Sequence, residues 1–478
     1  MRRAGAGVLL ALGAGLTVAG CATNPATGER EISLIGEGQE IQMGREADEQ
    51  ITASLGLYDD RELQAYVQAL GEGLAAASER PDLPWTFRVV DDPTVNAFAL
   101  PGGFVYVTRG ILAHLRSEAE LAGVLGHEIG HITARHSVSQ ISRAQLTQLG
   151  VGLGMILVPE LRPFGDLASA GMQLLFLKYG RDDEREADGL GVRYMTRLSY
   201  DAGELGDVML MLERSSEIQG SSGRVPEWLS THPDPGNRAT QIAAQVEGMG
   251  PTPGAIVRRD EYLRRLDGLV FGPNPREGIF QENVFRHPDL AFRFTFPRGW
   301  ATANSKQAVQ AVSPEQDALL QITLAQGSPS QALNQFASQG SVRLGRTSQQ
   351  PVNGLPAALA EFVATTEQGA FVGNVLYLSH GGNTYQVLGY APESRWSRNA
   401  TTIQQSLASF ARETDPAILG LRPDRLDIVE VASTLSFDDF LRRYPSEERP
   451  EVVALINGFS ANGTVQPGTL AKRIVEGS

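Results

Sequence analysis

His127-Glu128-Ile129-Gly130-His131 is the stretch of this 478-residue chain whose residue types and spacing most directly specify a reaction. On a helix turning about 100° per residue, positions 127 and 131 return to one face a turn apart, so two imidazoles can reach one metal ion. Glu128 stands on the same wall, placed to take a proton from a water polarised by that metal. The pattern is that of a zinc-dependent hydrolase with its own general base. Catalytic zinc takes three protein ligands and keeps a fourth position for water, so a third ligand must come from elsewhere.

Downstream, Glu184-Arg185-Glu186-Ala187-Asp188 opens a second helical stretch with apolar positions Leu190, Val192, Tyr194 and Met195. Spacing alone does not choose among these carboxylates, and such a run is more often a solvated acidic face.

The elements that must position these groups are partly marked. Ser117-Glu118-Ala119-Glu120 has the form of a capping box, and Leu121, Val124, Leu125, Ile129 and Ile132 follow at helical spacing, which places the motif in an amphipathic helix. Before it, Thr94 to Leu100 and Phe104 to Thr108 read as short strands around Pro101-Gly102-Gly103. Between the two helices, Ser137 to Tyr179 holds the apolar runs Leu149 to Val158 and Leu167 to Leu177. Neither reaches the roughly 20 residues needed to span a bilayer; they read as helices of a lid or membrane-facing shoulder over the cleft, or as core helices.

Asn24-Pro25-Ala26-Thr27-Gly28, then Asn96-Ala97-Phe98-Ala99-Leu100-Pro101-Gly102-Gly103, the 127–131 helix running on to Ala134-Arg135-His136, and the E-x-x-x-D pattern at 184 to 188 occur in that order. Together they resemble the HtpX and CAAX-prenyl-endopeptidase superfamily of gluzincin metallopeptidases (family forty-eight), most of all its bacterial periplasmic branch, from Asn24 to about Arg238. The resemblance implies one Zn2+ per chain, with Glu184 as third ligand beside His127 and His131. It implies that Asp188 orients a ligating His, which leaves Glu186 as a surface residue. Thr231-His232-Pro233 resembles a loop position whose His either coordinates the metal in a resting form or stabilises the oxyanion. Arg238 fits a partner of a carboxylate or of the tetrahedral intermediate, or a surface Arg at a helix start. The strand with Asn96, Ala97 and Phe98 resembles the family's edge strand, where an extended substrate adds by backbone pairing, a mode suited to unfolded or misfolded polypeptides.

Met1-Arg2-Arg3 followed by the apolar Val8 to Val18 reads as a signal peptide over 1–20, ending in Val18-Ala19-Gly20-Cys21, which resembles a lipoprotein processing site. Cys21, the sole Cys, suits lipidation, and the residues after it contain no Asp at the position expected for inner-membrane retention. A bacterial outer-membrane lipoprotein facing the periplasm is the expectation, with residues 21–40 as anchor and tether. A formal charge of −14 gives no sign of nucleic-acid binding.

The expected architecture is α+β: a mainly helical zincin-type metalloprotease domain with a small β-sheet over 41–250 and a Pro- and Gly-rich linker over 251–284. A PsbP-like α/β sandwich follows over 285–415, then a small βααβ LysM-like module over 416–478. The sandwich rests on strand periodicity such as Phe292, Phe294 and Phe296, with Pro297-Arg298-Gly299-Trp300 after it. Its His287 and His380 read as structural. LysM modules commonly bind glycan, so peptidoglycan is one expected partner and protein docking the other. No 34-residue repeat is visible, although a tetratricopeptide domain follows the protease in a relative of that branch. Two functions follow: an envelope protein quality-control endopeptidase acting on misfolded or stalled proteins, or a chaperone-like envelope protein whose protease site is gated and mostly silent. An inert scaffold fits poorly, since all the metal-site residues are present.

Overall fold

A computed structural model describes residues 21–150, 177–220, 227–250, 252–366 and 369–477. Residues 1–20, expected as a signal peptide, and most of the apolar stretch expected as lid or core helices lie outside these. Among the described residues no helix is long and apolar enough to cross a membrane.

The described residues begin with a hairpin, β1 (Cys21–Thr23) against β2 (Arg30–Ile32), and helix α1 (Glu37–Leu55). This corrects the expectation of a tether over 21–40. Polar composition there serves a tight turn: Asn24 bonds Glu29 and Gly28 through its own backbone, and the following segment is tied to the body by Leu34 N–H donating to Ser142 Oγ.

Helix α2 (Arg61–Ala76), capped by Asp60 accepting from Leu63 N–H, leads to β3 (Thr86–Val90), β4 (Ala97–Leu100) and β5 (Phe104–Thr108). The sheet order is β3-β5-β4, so β4 is an edge strand. It starts three residues later than expected; there the Thr108 hydroxyl donates to Thr94 O and accepts from Asn96 N–H, side-chain bonds that stand in for regular ladder pairing.

After α3 (Arg109–His114), helix α4 (Glu118–Thr133) carries the motif. Ser117 Oγ accepts from Glu120 N–H as the capping box predicts, but Glu120 turns to the Arg116 guanidinium instead of reciprocating. Every residue of α4 is buried. The expected amphipathic helix is therefore a central one, surrounded by α2, the sheet, α6 (Arg181–Arg197) and α7 (Gly203–Gly220), where a helix with no solvent face is stable. Helices α5 (His136–Gly150), α8 (Glu227–Thr231), α9 (Pro235–Met249) and α10 (Arg259–Arg265) complete this part.

The passage expected as a linker is a second correction. Tyr262, Leu263, Leu266 and Leu269 are buried in the same core as Leu121 and Leu125 of α4. Length and Pro/Gly content predicted a break, but apolar spacing in the short helix wins.

The C-terminal half is rich in strands, as its alternation predicts. A four-stranded sheet runs β16 (Ala411–Arg412), β8 (Phe292–Thr295), β7 (Val284–His287), β6 (Ile279–Gln281). A seven-stranded antiparallel sheet holds β9 (Ala301–Asn304), β10 (Val309–Val312), β11 (Leu319–Ala325), β12 (Val342–Ser348), β13 (Ala357–Thr366), β14 (Gly369–His380) and β15 (Asn383–Pro392), in the order β12-β13-β14-β15-β11-β10-β9. Helices α11 (Pro329–Ala337) and α12 (Glu393–Leu407) cover it. Phe292 and Phe294 point inward while Arg293 is exposed, the period of two read from sequence. His287 and His380 bond neighbouring backbone, as structural residues do.

The last unit has β17 (Asp424–Glu430) paired with β20 (Leu470–Glu476), a small pair β18 (Leu435–Ser436) and β19 (Thr464–Val465), and helices α13 (Phe437–Arg443) and α14 (Pro450–Asn457) between. The outer strands β17 and β20 flank the helices in the expected βααβ order, with the β18–β19 pair added, but the unit does not stand apart: Leu426, Leu455, Ile456, Leu470 and Ile474 lie in the core that contains α4.

Candidate metal centre

Helices α4 and α6 pack through small residues, which brings their functional side chains together. A Cβ on Gly130 would sit 3.0 Å from Ala187 O, and one on Gly191 would sit 3.1 Å from His127 N. At that approach Glu184 and Asp188, one turn apart on α6, face His127 and His131.

His127, His131, Glu184 and His232 are all buried, with one donor atom each inside a 4.8 Å span. His127 Nε2 lies 3.0 Å from His131 Nε2 and 3.4 Å from His232 Nδ1. Glu184 Oε1 lies 2.9 Å from His232 Nδ1 and 3.5 Å from His131 Nε2, while its Oε2 lies 3.6 Å from His127 Nε2. A tetrahedron with metal–ligand bonds of about 2.05 Å has edges of about 3.3 Å. These separations fit one Zn2+-sized ion, and the three imidazoles and a carboxylate are the donor types zinc takes.

Glu128 is fully buried beside this set, with Oε1 3.8 Å from His232 Nε2. Neither carboxylate oxygen has a hydrogen-bond partner among the described residues. Burial pushes its carboxyl up, against the lowering influence of His232 and His127. Burial would also raise Glu184, but the charge of His232 and hydrogen bonds from His131 and His232 hold it well below the usual range. Burial drives His131 well below its ordinary value, toward the neutral form a metal ligand needs.

Asp188 Oδ1 lies 3.0 Å from His127 Nδ1, where it orients that ring. Arg238 is buried, not a surface residue: it grips Asp188 through Nε at 2.7 Å and Nη2 at 2.6 Å. Its Nη1 is 2.6 Å from Glu184 Oε2, an ion pair lacking hydrogen-bond geometry. Glu186 corrects the reading as a surface residue: half-buried, it accepts from Asn24 Nδ2 and His136 Nε2, and the His136 bond holds its carboxyl below the usual range.

Three further contributors carry no signal in local spacing. Tyr179 stacks on His131 with centroids 3.8 Å apart, Trp228 stacks on His232 at 4.5 Å, and His136 Nδ1 meets His131 Nδ1 at 2.9 Å. Positions 131 and 136 do not face each other on one helix. They meet because Arg135, at φ 57°, breaks the path between α4 and α5.

In the edge strand Ala97 and Phe98 are buried, and Asn96 Oδ1 is buried with no partner among the described residues. Cys21 lies in β1, away from the metal set in sequence and joined to it through Asn24.

Residues 61–246 match the family described as Peptidase family M48. The β-barrel assembly-enhancing protease of Yersinia pestis is 32% identical over 226 residues, 45% of this chain and 46% of that protein. The mitochondrial metalloendopeptidase OMA1 of Schizosaccharomyces pombe is 31% identical over 225 residues, 46% of this chain and 64% of that one. The chain thus spans about half the length of the first of these relatives. The solution structure of a cyanobacterial PsbP from Synechocystis sp. PCC 6803, 15% identical, covers 28% of this chain and 95% of its own at a TM-score of 0.24.

Proposed function

From the peptidase family M48 domain that this chain contains, we propose that the protein is a zinc endopeptidase of the bacterial envelope, held as an outer-membrane lipoprotein through Cys21 and facing the periplasm. Its substrates are misfolded or stalled envelope polypeptides; the β-barrel assembly-enhancing protease among its relatives supports that substrate class. The observation that carries the reading is the convergence of His127, His131, Glu184 and His232 beside an unpartnered, buried Glu128.

His127, His131 and Glu184 hold the metal. When bound, zinc supplies Lewis acidity toward water and the scissile carbonyl. Glu128 takes the water's proton and returns it to the leaving amine; with no other bond to break, its oxygens are free for that exchange. Asp188 and Arg238 fix the ring of His127 and the carboxylate of Glu184. An extended peptide adds along the free edge of β4, which favours backbone recognition over one exact sequence.

His232 completes four protein donors, and a zinc site with four is closed to water. The place of His232 within the donor set therefore supports a resting, gated form, in which His232 would have to leave that set before a water could take the fourth position. The C-terminal βααβ unit serves as a docking element toward peptidoglycan or assembly components.

Zinc content and cleavage of casein or an unfolded outer-membrane protein test this directly. Glu128→Gln should keep about one zinc per chain and lose at least about a hundredfold in rate. His232→Ala should raise the rate. Unchanged cleavage by Glu128→Gln removes it from the chemistry, and an inactive His232→Ala that still binds unfolded protein favours the chaperone reading.

A further inference from the structure

The far side of His131 is held by a chain of contacts that ends in the N-terminal hairpin. His131 Nε2 faces the other donors, so with a metal on Nε2 the ring's proton sits on Nδ1. That Nδ1 lies 2.9 Å from His136 Nδ1, which must then accept, leaving the His136 proton on Nε2. His136 Nε2 in turn donates to Glu186 Oε2 at 3.3 Å, with Asp183 Oδ1 farther off at 4.0 Å. Glu186 Oε1 accepts from Asn24 Nδ2 at 3.0 Å. One arrangement of protons satisfies every link.

Asn24 is not free to swing. It is 2% exposed, its Oδ1 accepts from Ala26 N–H at 2.9 Å, and its backbone closes the turn with Glu29 and with Gly28, itself at φ 77°. The residue that fixes Glu186 thus lies three positions after Cys21 and is built into the hairpin.

We propose that Glu186, fixed by Asn24, is a positioning residue that acts through His136 on His131, so that the hairpin that starts at Cys21 sets how tightly the metal is held. The inference rests on His131 being a metal ligand, as read above. A carboxylate at the end of the chain makes His136 the better acceptor, raises the basicity of His131 and fixes its ring. Stacking on Tyr179 is the competing means of fixing that ring.

The test is zinc affinity of the full chain, by competition with a chromogenic chelator, alongside the melting temperature of the metal-free protein. Glu186→Gln should weaken zinc binding about 10- to 100-fold. Asn24→Ala should weaken it by a smaller factor, with the metal-free melting temperature of Glu186→Gln close to wild type. In a His136→Ala background, Glu186→Gln should add no further loss, since both act on one path. Unchanged affinity in Glu186→Gln overturns the proposal, as does an equal loss with or without His136, or a fall confined to the metal-free melting temperature. Wild type that binds no zinc would instead sink the metal reading on which it stands.

Discussion

A single buried histidine outside the metal set makes a pH prediction. His114 ends α3 with Nδ1 2.8 Å from Gly110 O and its ring stacked on Phe271. Burial, with a smaller push from Lys472, lowers it from its usual value to about 4. An unfolded His titrates near 6.5, so between those values the unfolded chain binds a proton that the fold refuses. The contribution is complete above about pH 6.5 and is lost as pH falls toward 4, a loss of about 3 kcal/mol at about 1.4 per unit. The urea midpoint should therefore drop between pH 7 and pH 4.5 in wild type and drop less in His114→Gln; parallel drops would show that another group titrates. His114 carried no sequence signal because nothing local announces burial. His127, Glu128 and His131 were legible for the opposite reason, since their spacing on one helix is the geometry. Glu184 and Asp188 needed the family resemblance, Tyr179 and Trp228 arrive from chain folded in from elsewhere, and His136, only five residues past His131, meets it through a turn at Arg135 that spacing does not reveal.

At the scale of elements, the centre depends on how close α4 and α6 come. Gly130 lies inside the motif itself, yet its role is not to bind: its missing side chain admits the backbone of Ala187. A Cβ there needs a few tenths of an ångström of give, and a branched side chain needs α6 to retreat, carrying Glu184 and Asp188 with it. Gly130→Leu should lose most of its bound zinc and about 1–3 kcal/mol of stability. Gly189, on the same helix α6, is the control. A Cβ there meets only Gln245 Oε1, at 3.9 Å, and Gly189→Leu should keep the metal. Metal content of the two purified variants decides it: similar retention in both would mean that helix spacing does not set the ligand geometry. Both helices and their apolar periods are visible in the sequence, but a glycine that permits contact looks the same there as one that ends a helix.

At the scale of the whole molecule, the C-terminal unit is part of what holds α4. Gly268 N–H donates to Leu426 O, Leu426 N–H to Leu269 O and Phe271 N–H to Asp424 O, so the supposed linker runs as a partner alongside β17. Lys472, fully buried, donates through Nζ to Ala113 O at 2.8 Å and to Leu115 O, the carbonyls that immediately precede the metal helix. Leu426, Leu455, Ile456, Leu470 and Ile474 add apolar area to the same core. At about 1.5–3 kcal/mol for each buried side chain, even half of their burial amounts to about 4–7 kcal/mol, a large share of the stability of an ordinary domain. The segments and their order were readable from sequence; their docking was not, because an apolar residue does not say which surface covers it. A chain ending at residue 423 should consequently melt at least about 10 °C lower than the full chain and shed zinc on dialysis. Should that shortened chain keep both its melting temperature and its metal, β17, α14 and β20 form a separable appendage, and any signal they receive would have to reach the metal centre by another route.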